Sequence, residues 1–192
     1  MNATHACATC TRHACDQGDP SHTPAGCPSL DPEGDAHVRQ FDNDNETVAR
    51  SATLVESHGY CKKTRIEEAM GFARRCRCER LRIAFCVGLR RAAAVIARAL
   101  TANGFTLDSV ACKNGGFGRQ LLQIDDADNV HPGAFEAMCN PIGQAHFLEK
   151  PGTRLNIVVG LCVAHDSLFI KYSGAPVTVL AAKDSVLGHN RL

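Results

Sequence analysis

The sequence predicts an α/β protein, with a mostly parallel sheet and helices on both faces, preceded by a short cysteine-rich segment. From Leu81 onwards, short apolar runs alternate with helical stretches, a pattern typical of a parallel sheet. Residues 1–36, in contrast, contain four cysteines and almost no large apolar side chain except Leu30. A chain of 192 residues suffices for one α/β domain and a short module, so we expect a segment over 1–36 and a domain over 37–192.

Two helices are expected between the cysteine-rich segment and the first strand. Residues 37–45 form a polar linker whose Asp and Asn residues can cap a helix of about three turns, with Glu46 in its first turn. A second helix is predicted over 63–77, where Ile66 and Met70 mark an apolar face. These helices lead into the sheet.

Apolar runs and capping signals define the elements of the sheet domain. The four strand candidates are residues 81–86, 106–112, 155–162 and 176–181. The Ala-rich run over 92–102, closed by Asn103-Gly104, predicts the helix of a β-α-β unit. Asn140-Pro141 predicts the start of a helix that runs through Phe147, and a further helix is expected from 165 or 166 to 172. Together these elements predict a Rossmann-like fold.

Composition argues against two classes of partner. With 21 basic and 20 acidic residues the net charge is +1, so no global electrostatic attraction to nucleic acid or an anionic membrane is expected. The basic run over 74–82 is interleaved with Glu79 and is expected to be a solvated helix end. No apolar run reaches the roughly 20 residues that cross a bilayer, and the first residues lack a secretion signal, so we expect a cytoplasmic protein.

Eleven cysteines are the outlying feature of the composition. In a chain without an export signal, they favour thiol or thiolate chemistry over a disulfide framework. Four of them, Cys7, Cys10, Cys15 and Cys27, lie in the segment that has no apolar core. Coordination of a metal or cluster by four thiolates can provide the free energy that orders such a segment. We therefore predict a metal site there.

The spacing of these four cysteines leaves the metal open. Soft sulfur ligands suit zinc or an iron-sulfur cluster, and Cys27-Pro28 slightly favours the cluster. His5, His13 and His22 are alternative ligands. Unliganded cysteines on a solvated tail are the competing interpretation, which would expose four oxidisable thiols.

A second set of cysteines falls at the ends of predicted elements. Cys86, Cys112 and Cys162 end strands, and Cys139 precedes the helix that Asn140 opens. The carboxyl ends of parallel strands and the amino ends of the following helices converge on one crevice, so the four cysteines are expected to bind a cofactor there. The competing interpretation is that each is a small apolar side chain buried in a strand.

His165 and Asp166 follow Cys162 on the same predicted face. As catalytic candidates they can act as general acid and base, while His165 can instead be a metal ligand and Asp166 a helix cap.

Several short sequence motifs carry a family resemblance: RIAFCVGL at 82–89, CK at 112–113, CNPIGQA at 139–145, GLCVAHD at 160–166, APVT at 175–178 and KD at 183–184. They resemble an uncharacterised cysteine-rich family of archaea and largely anaerobic bacteria, domain of unknown function 1847, described as a metal-binding protein. The resemblance covers nearly the whole chain and implies that both cysteine sets belong to the family pattern. The family usually has Gly in place of Ala164 and Arg in place of Ser185.

Two functional hypotheses follow. The first is a cysteine-ligated zinc or iron-sulfur protein with a thiolate-lined crevice, which acts on a small molecule or a redox partner by redox or sulfur-transfer chemistry. The second is a non-catalytic, zinc-stabilised module that binds a partner or handles metal. The sequence does not distinguish zinc from an iron-sulfur cluster in either site.

Overall fold

A computed structural model describes residues 6–189 of the chain. The chain forms two compact units, Met1–Arg50 and Ser51–Leu192. The division lies 14 residues after the end of the predicted cysteine-rich segment, within the helix α3 (Asn43–Gly59). That helix has 17 residues rather than three turns, since neither Pro nor Gly interrupts the sequence until Gly59.

The N-terminal unit contains short helical pieces. These are α1 (Ala14–Gln17), α2 (Gly34–Val38) and the 3-10 turns Cys7–Thr9, Pro20–His22 and Pro28–Leu30. Among its described residues, Ala14 is the one buried apolar side chain. This unit therefore has almost no hydrophobic core to hold it together.

The second unit is an α/β domain, as predicted. Its remaining helices are α4 (Arg65–Arg75), α5 (Arg90–Ala102), α6 (Pro141–Leu148) and α7 (His165–Tyr172). Its strands are β1 (Arg80–Phe85), β2 (Thr106–Ala111), β3 (Asn156–Val159) and β4 (Val177–Ala181). All four strand predictions and the helices after them are thereby confirmed within a few residues.

The sheet is parallel throughout, in the order β2-β1-β3-β4. The chain moves from β1 outward to β2, returns to β3 on the other side of β1, and continues to β4. Because crossovers between parallel strands are right-handed, α5 and α7 cover opposite faces. The order in which the chain adds strands reverses between β1 and β3, and such a reversal places a crevice at the carboxyl ends of these two strands.

The core fills both faces of the two central strands. Ile83 in β1 and Ile157 in β3 are completely buried, and Leu100 from α5, Leu148 from α6 and Phe169 from α7 pack into the same cluster. Burial of this many apolar side chains supplies the main driving force for folding of the second unit. Within the described residues, no helix is long and apolar enough to cross a membrane.

Candidate metal centre

A chemically active side chain follows each of the four strands. Cys86 directly follows β1, and Cys112 directly follows β2. Cys162 comes three residues after β3, and Lys183 comes two residues after β4. Because the strands are parallel, all four residues lie at the carboxyl edge of the sheet, where open α/β sheets bind ligands.

Cys139 reaches the same edge from the long connection between β2 and α6. The backbone N–H of Asn140 donates to the carbonyl oxygen of Cys112 at 2.6 Å. Asn140 also caps α6, since its Oδ1 accepts the N–H of Gly143 at 2.8 Å, and its Nδ2 donates to Oδ1 of Asn114 at 3.0 Å. These bonds hold Cys139 beside Cys112.

Three of the thiols interact in a row, with the Cys112 side chain hydrogen-bonded to Cys86 on one side and to Cys139 on the other. The bond to Cys112, together with burial, raises the pKa of Cys86 to about 12. At the other end, the bond from Cys112 lowers the pKa of Cys139. Of these three thiols, Cys139 is therefore the one that most readily becomes a thiolate.

Cys139, Cys162 and His165 come together as a set of metal-ligand type. One ligand atom from each lies within 4.8 Å of the other two, and all three residues are half-buried. The Nδ1 atom of His165 is buried and has no hydrogen-bond partner in the structure. Two sulfurs bound tetrahedrally to one metal lie roughly 3.8 Å apart, given metal-sulfur bonds of about 2.3 Å. The residues therefore fit a metal ion after a small inward movement.

A tight turn after β3 places two of these ligands together. The N–H groups of His165 and Asp166 both donate to the carbonyl of Cys162, at 2.9 and 3.3 Å. Two residues of the turn have left-handed backbone: Gly160 at φ +62° and Ala164 at φ +64°. Left-handed backbone strains any residue with a Cβ, so Ala164 occupies a strained position just before His165.

Lys183 lies between two of the thiols. Its Nζ is 3.2 Å from Sγ of Cys162 and 3.4 Å from Sγ of Cys86. The hydrogen bond to Cys162 and the nearby Cys86 sulfur raise the pKa of the half-buried lysine, so it stays an ammonium. Among residues 6–189, no carboxylate lies within 4.0 Å of it. The two sulfurs are the hydrogen-bond acceptors of its ammonium.

Asp166 is held in the first turn of α7 and does not belong to the Cys/His group. Its Oδ1 accepts the backbone N–H of Ser167 at 2.8 Å. The N-cap of α7 is Ala164, and no side chain caps the helix, so the interpretation of Asp166 as the helix cap is wrong. The predicted acid-base role of His165 and Asp166 stays a prediction.

The N-terminal cysteines are arranged more loosely. Cys7, Cys10 and Cys27 line a cavity of about 320 Å³, while Cys15 lies on α1 and is exposed. Backbone N–H groups of the following residues lower the pKa of Cys10. In the described part of the chain, three Cys, His or acidic ligand atoms within 4.8 Å of one another occur at the Cys139 group alone. Three of the four N-terminal cysteines thus line one cavity, but they do not come together as a group of metal ligands.

One of the histidines suggested as an alternative N-terminal ligand, His22, pairs with an acidic side chain. Nδ1 of His22 lies 2.6 Å from a carboxylate oxygen of Asp19. His5 falls outside the described residues.

Two features of the crevice were not singled out as site residues from the sequence. The sequence places Lys183 after a predicted strand, near the same face as His165 and Asp166, but Lys183 is not among the predicted site residues. The spacing Cys162-x2-His165 was not treated as a ligand pair, although two ligands three residues apart fit one turn around a metal.

Fold and site together define the class of this protein: an α/β protein with many cysteines and one Cys/His group suited to a metal ion at the carboxyl edge of its sheet. Residues 29–180 match the family described as "Protein of unknown function (DUF1847)", and the chain belongs to that family. The matched region contains the four strand-end cysteines and His165. It begins after Cys27, so the family match supports the predicted family pattern for the second cysteine set and does not extend to the first.

A relative from the archaeon Methanocaldococcus jannaschii, named "Uncharacterized protein MJ0455", is 43% identical to this chain over 147 residues. The alignment covers 77% of this chain and 74% of the relative. No solved structure matches the chain.

Proposed function

We propose that this protein is a metalloprotein whose working centre is the crevice at the carboxyl edge of the sheet, with Cys139, Cys162 and His165 as ligands. The observation that carries the proposal is the approach of these three ligand atoms to within 4.8 Å of one another at the strand-order reversal. Ligands of open α/β sheets bind at such a reversal.

The ligand set favours zinc as the first candidate. Two thiolates and one imidazole form a set used by catalytic zinc sites, which keep a fourth position open for water or substrate. Zinc bound here would supply a Lewis acid in a half-buried crevice. Cys86 and Cys112, at 3% and 2% exposure, would stay protonated thiols behind the ligands.

An iron-sulfur cluster is the second candidate, and a specific observation favours it. The chain of thiol contacts runs from Cys86 through Cys112 to Cys139, and Cys139 is within 4.8 Å of a ligand atom of Cys162. Four cysteines at one edge are the number that cluster sites use. In that case redox or sulfur-transfer chemistry is the proposed activity.

The N-terminal cysteines belong to the proposal as a separate structural site. Cys7, Cys10 and Cys27 surround one cavity, and Cys15 would join them when a metal draws the segment together. Because this unit has almost no core, binding energy would become folding energy.

Metal and acid-labile sulfide analysis of protein purified without oxygen tests the proposal. Three variants are compared with the wild type: Cys162→Ser, Cys86→Ser and the control Cys78→Ser. Cys78 matches the burial of Cys86, at 4% exposure, and its thiol contacts the carbonyl of Cys76 rather than the crevice, so a serine keeps an acceptor there.

The pattern of losses separates the candidates. For a Cys2His zinc site, Cys162→Ser lowers the zinc content by about one ion per chain, while Cys86→Ser and Cys78→Ser retain it. For a cluster, iron and sulfide fall in both crevice variants. Metal content that is equal in all four proteins, with every variant folded, would reject the crevice centre and leave the non-catalytic metal-stabilised module.

Comparing His165→Ala with Asp166→Asn tests whether His165 is a metal ligand or acts with Asp166 as a general acid-base pair. If His165 is a ligand, His165→Ala loses the metal and Asp166→Asn retains it, because Asp166 is outside the ligand group and its Oδ1 accepts a hydrogen bond within its own helix turn. Loss of metal in Asp166→Asn would contradict this assignment.

A further inference from the structure

The ammonium of Lys183 has a hydrogen-bond donor to spare. A lysine ammonium carries three N–H donors, and the two sulfurs of Cys86 and Cys162 account for two of them. Because no carboxylate of the described residues neutralises it, this half-buried cation retains the capacity to bind a further negative group.

The spare donor lies beside the ligand set. Cys162 belongs both to the Cys/His group and to the Lys183 contact, whose N···S distance is 3.2 Å. A ligand in the open position next to the Cys162 sulfur would therefore lie within a few ångströms of the ammonium. A metal ion and a lysine would then face the same small volume.

Two lysines bring positive charge close to these sulfurs. Lys113 lies close enough to Cys139 to act on it electrostatically, and its Nζ is anchored by the carbonyl of Ala137. Two acidic residues adjoin these groups in sequence. Asp166 directs its Oδ1 to the backbone of α7, and the Oδ1 of Asp184, next to Lys183, accepts the backbone N–H groups of Val186 and Leu187. Two lysines without carboxylate partners make the mouth of the site attractive to anions.

We infer that the crevice binds a small monovalent anion, with one end on the open metal position and the other accepting a hydrogen bond from Lys183. This inference rests on the proposed metal centre at Cys139, Cys162 and His165. It adds the chemical class of the ligand, and it assigns Lys183 a role in ligand binding that is separate from holding the metal.

Cobalt-substituted protein provides the test, because the visible spectrum of Co²⁺ reports its coordination directly. Azide is titrated into the wild type, Lys183→Met, Lys183→Gln and the control Lys150→Met. Lys150 is a lysine of the same unit, and its ammonium lies 3.5 Å from Asp108. Imidazole, a neutral metal ligand, is titrated in parallel.

The expected result is an azide-dependent spectral change whose Kd rises about tenfold or more in Lys183→Met, since a hydrogen bond to a charged group contributes about 1.5–3 kcal/mol. Lys183→Gln keeps N–H donors but loses the charge, so it should weaken azide binding by a smaller factor and provides a second variant. Lys150→Met should leave azide affinity unchanged, and imidazole affinity should stay within about twofold in all proteins.

Each contrary result has a distinct meaning. A cobalt spectrum that depends on Cys162 but does not respond to azide, or equal azide affinity in Lys183→Met and the wild type, would overturn the anion site and leave the metal centre standing. A cobalt spectrum unaffected by Cys162→Ser would instead remove the metal centre and the anion site with it.

Discussion

The N-terminal cysteines lie in a unit that buries almost no apolar side chain, whereas the crevice cysteines belong to a unit with a continuous hydrophobic core. In the first set, three sulfurs face one cavity without approaching ligand distances. In the second, hydrogen bonds of the loops and caps fix each thiol next to its neighbour.

This difference shows where the free energy of arranging ligands comes from. The core of the α/β unit orders the crevice before any ligand binds, so binding there does not have to overcome the entropy of the chain. In the N-terminal unit, the metal that we propose there would itself have to order the segment. In the proposed function, cysteines therefore bind a ligand at a site that the fold has already ordered in one unit, and at a site that forms only when metal binds in the other.

Removal of metal should produce the largest contrast between the two units. We expect a chelator to speed tryptic cleavage after Arg12 and Arg39 about tenfold or more, because the N-terminal unit loses what orders it. Cleavage within α5 should keep its rate. Mass spectrometry of the digest measures both, with metal added back as the control. Equal acceleration in the two units would remove the distinction.

A matched pair of leucine substitutions compares how much hydrophobic packing contributes to the stability of each unit. Leu100→Ala should lower the free energy of unfolding by about 2–5 kcal/mol, because Leu100 is completely buried in the core. Leu30→Ala should change it by about 0.5 kcal/mol or less, because Leu30 is 53% exposed. Urea unfolding followed by circular dichroism measures both. Similar losses would mean that the N-terminal unit has a core of its own.

Gly160→Ala tests how strongly the backbone presets the crevice. A Cβ at Gly160 would lie 2.4 Å from Cδ2 of the buried Leu89, and φ is +62°. We expect a loss of about 2–4 kcal/mol in unfolding free energy. Gly152→Ala, at φ +77° with open space around it, is the control and should cost only about 1 kcal/mol of backbone strain. Equal costs would show that the turn has room to adapt.

The smallest expected effect has the opposite sign. Ala164→Gly should stabilise the protein by about 1 kcal/mol, because it relieves left-handed strain at φ +64° just before His165. Ala94→Gly, in the exposed middle of α5, should destabilise by about 1 kcal/mol. Thermal unfolding of the two variants provides the comparison. If Ala164→Gly destabilises as Ala94→Gly does, the turn is not strained.

The strands and most helices could be predicted because their signals are local. The apolar run ending at Cys86 marks β1, and Asn140-Pro141 marks the first turn of α6. The extent of α3 and the short α1 and α2 were not predicted, since capping and turn preferences do not fix where a polar helix stops. The strand-end cysteines were chosen through the assumed topology, which the parallel sheet confirms.

The sequence by itself determined the α/β class, the positions of the strands and the two groups of cysteines, because these follow from hydrophobic period, capping residues and composition. The tertiary structure alone decided that His165 joins Cys139 and that Lys183 lies between two thiols. The contact of Lys183 with Cys86 spans 97 residues. Such a contact depends on strand order and side-chain direction, and no local pattern of residues specifies either one.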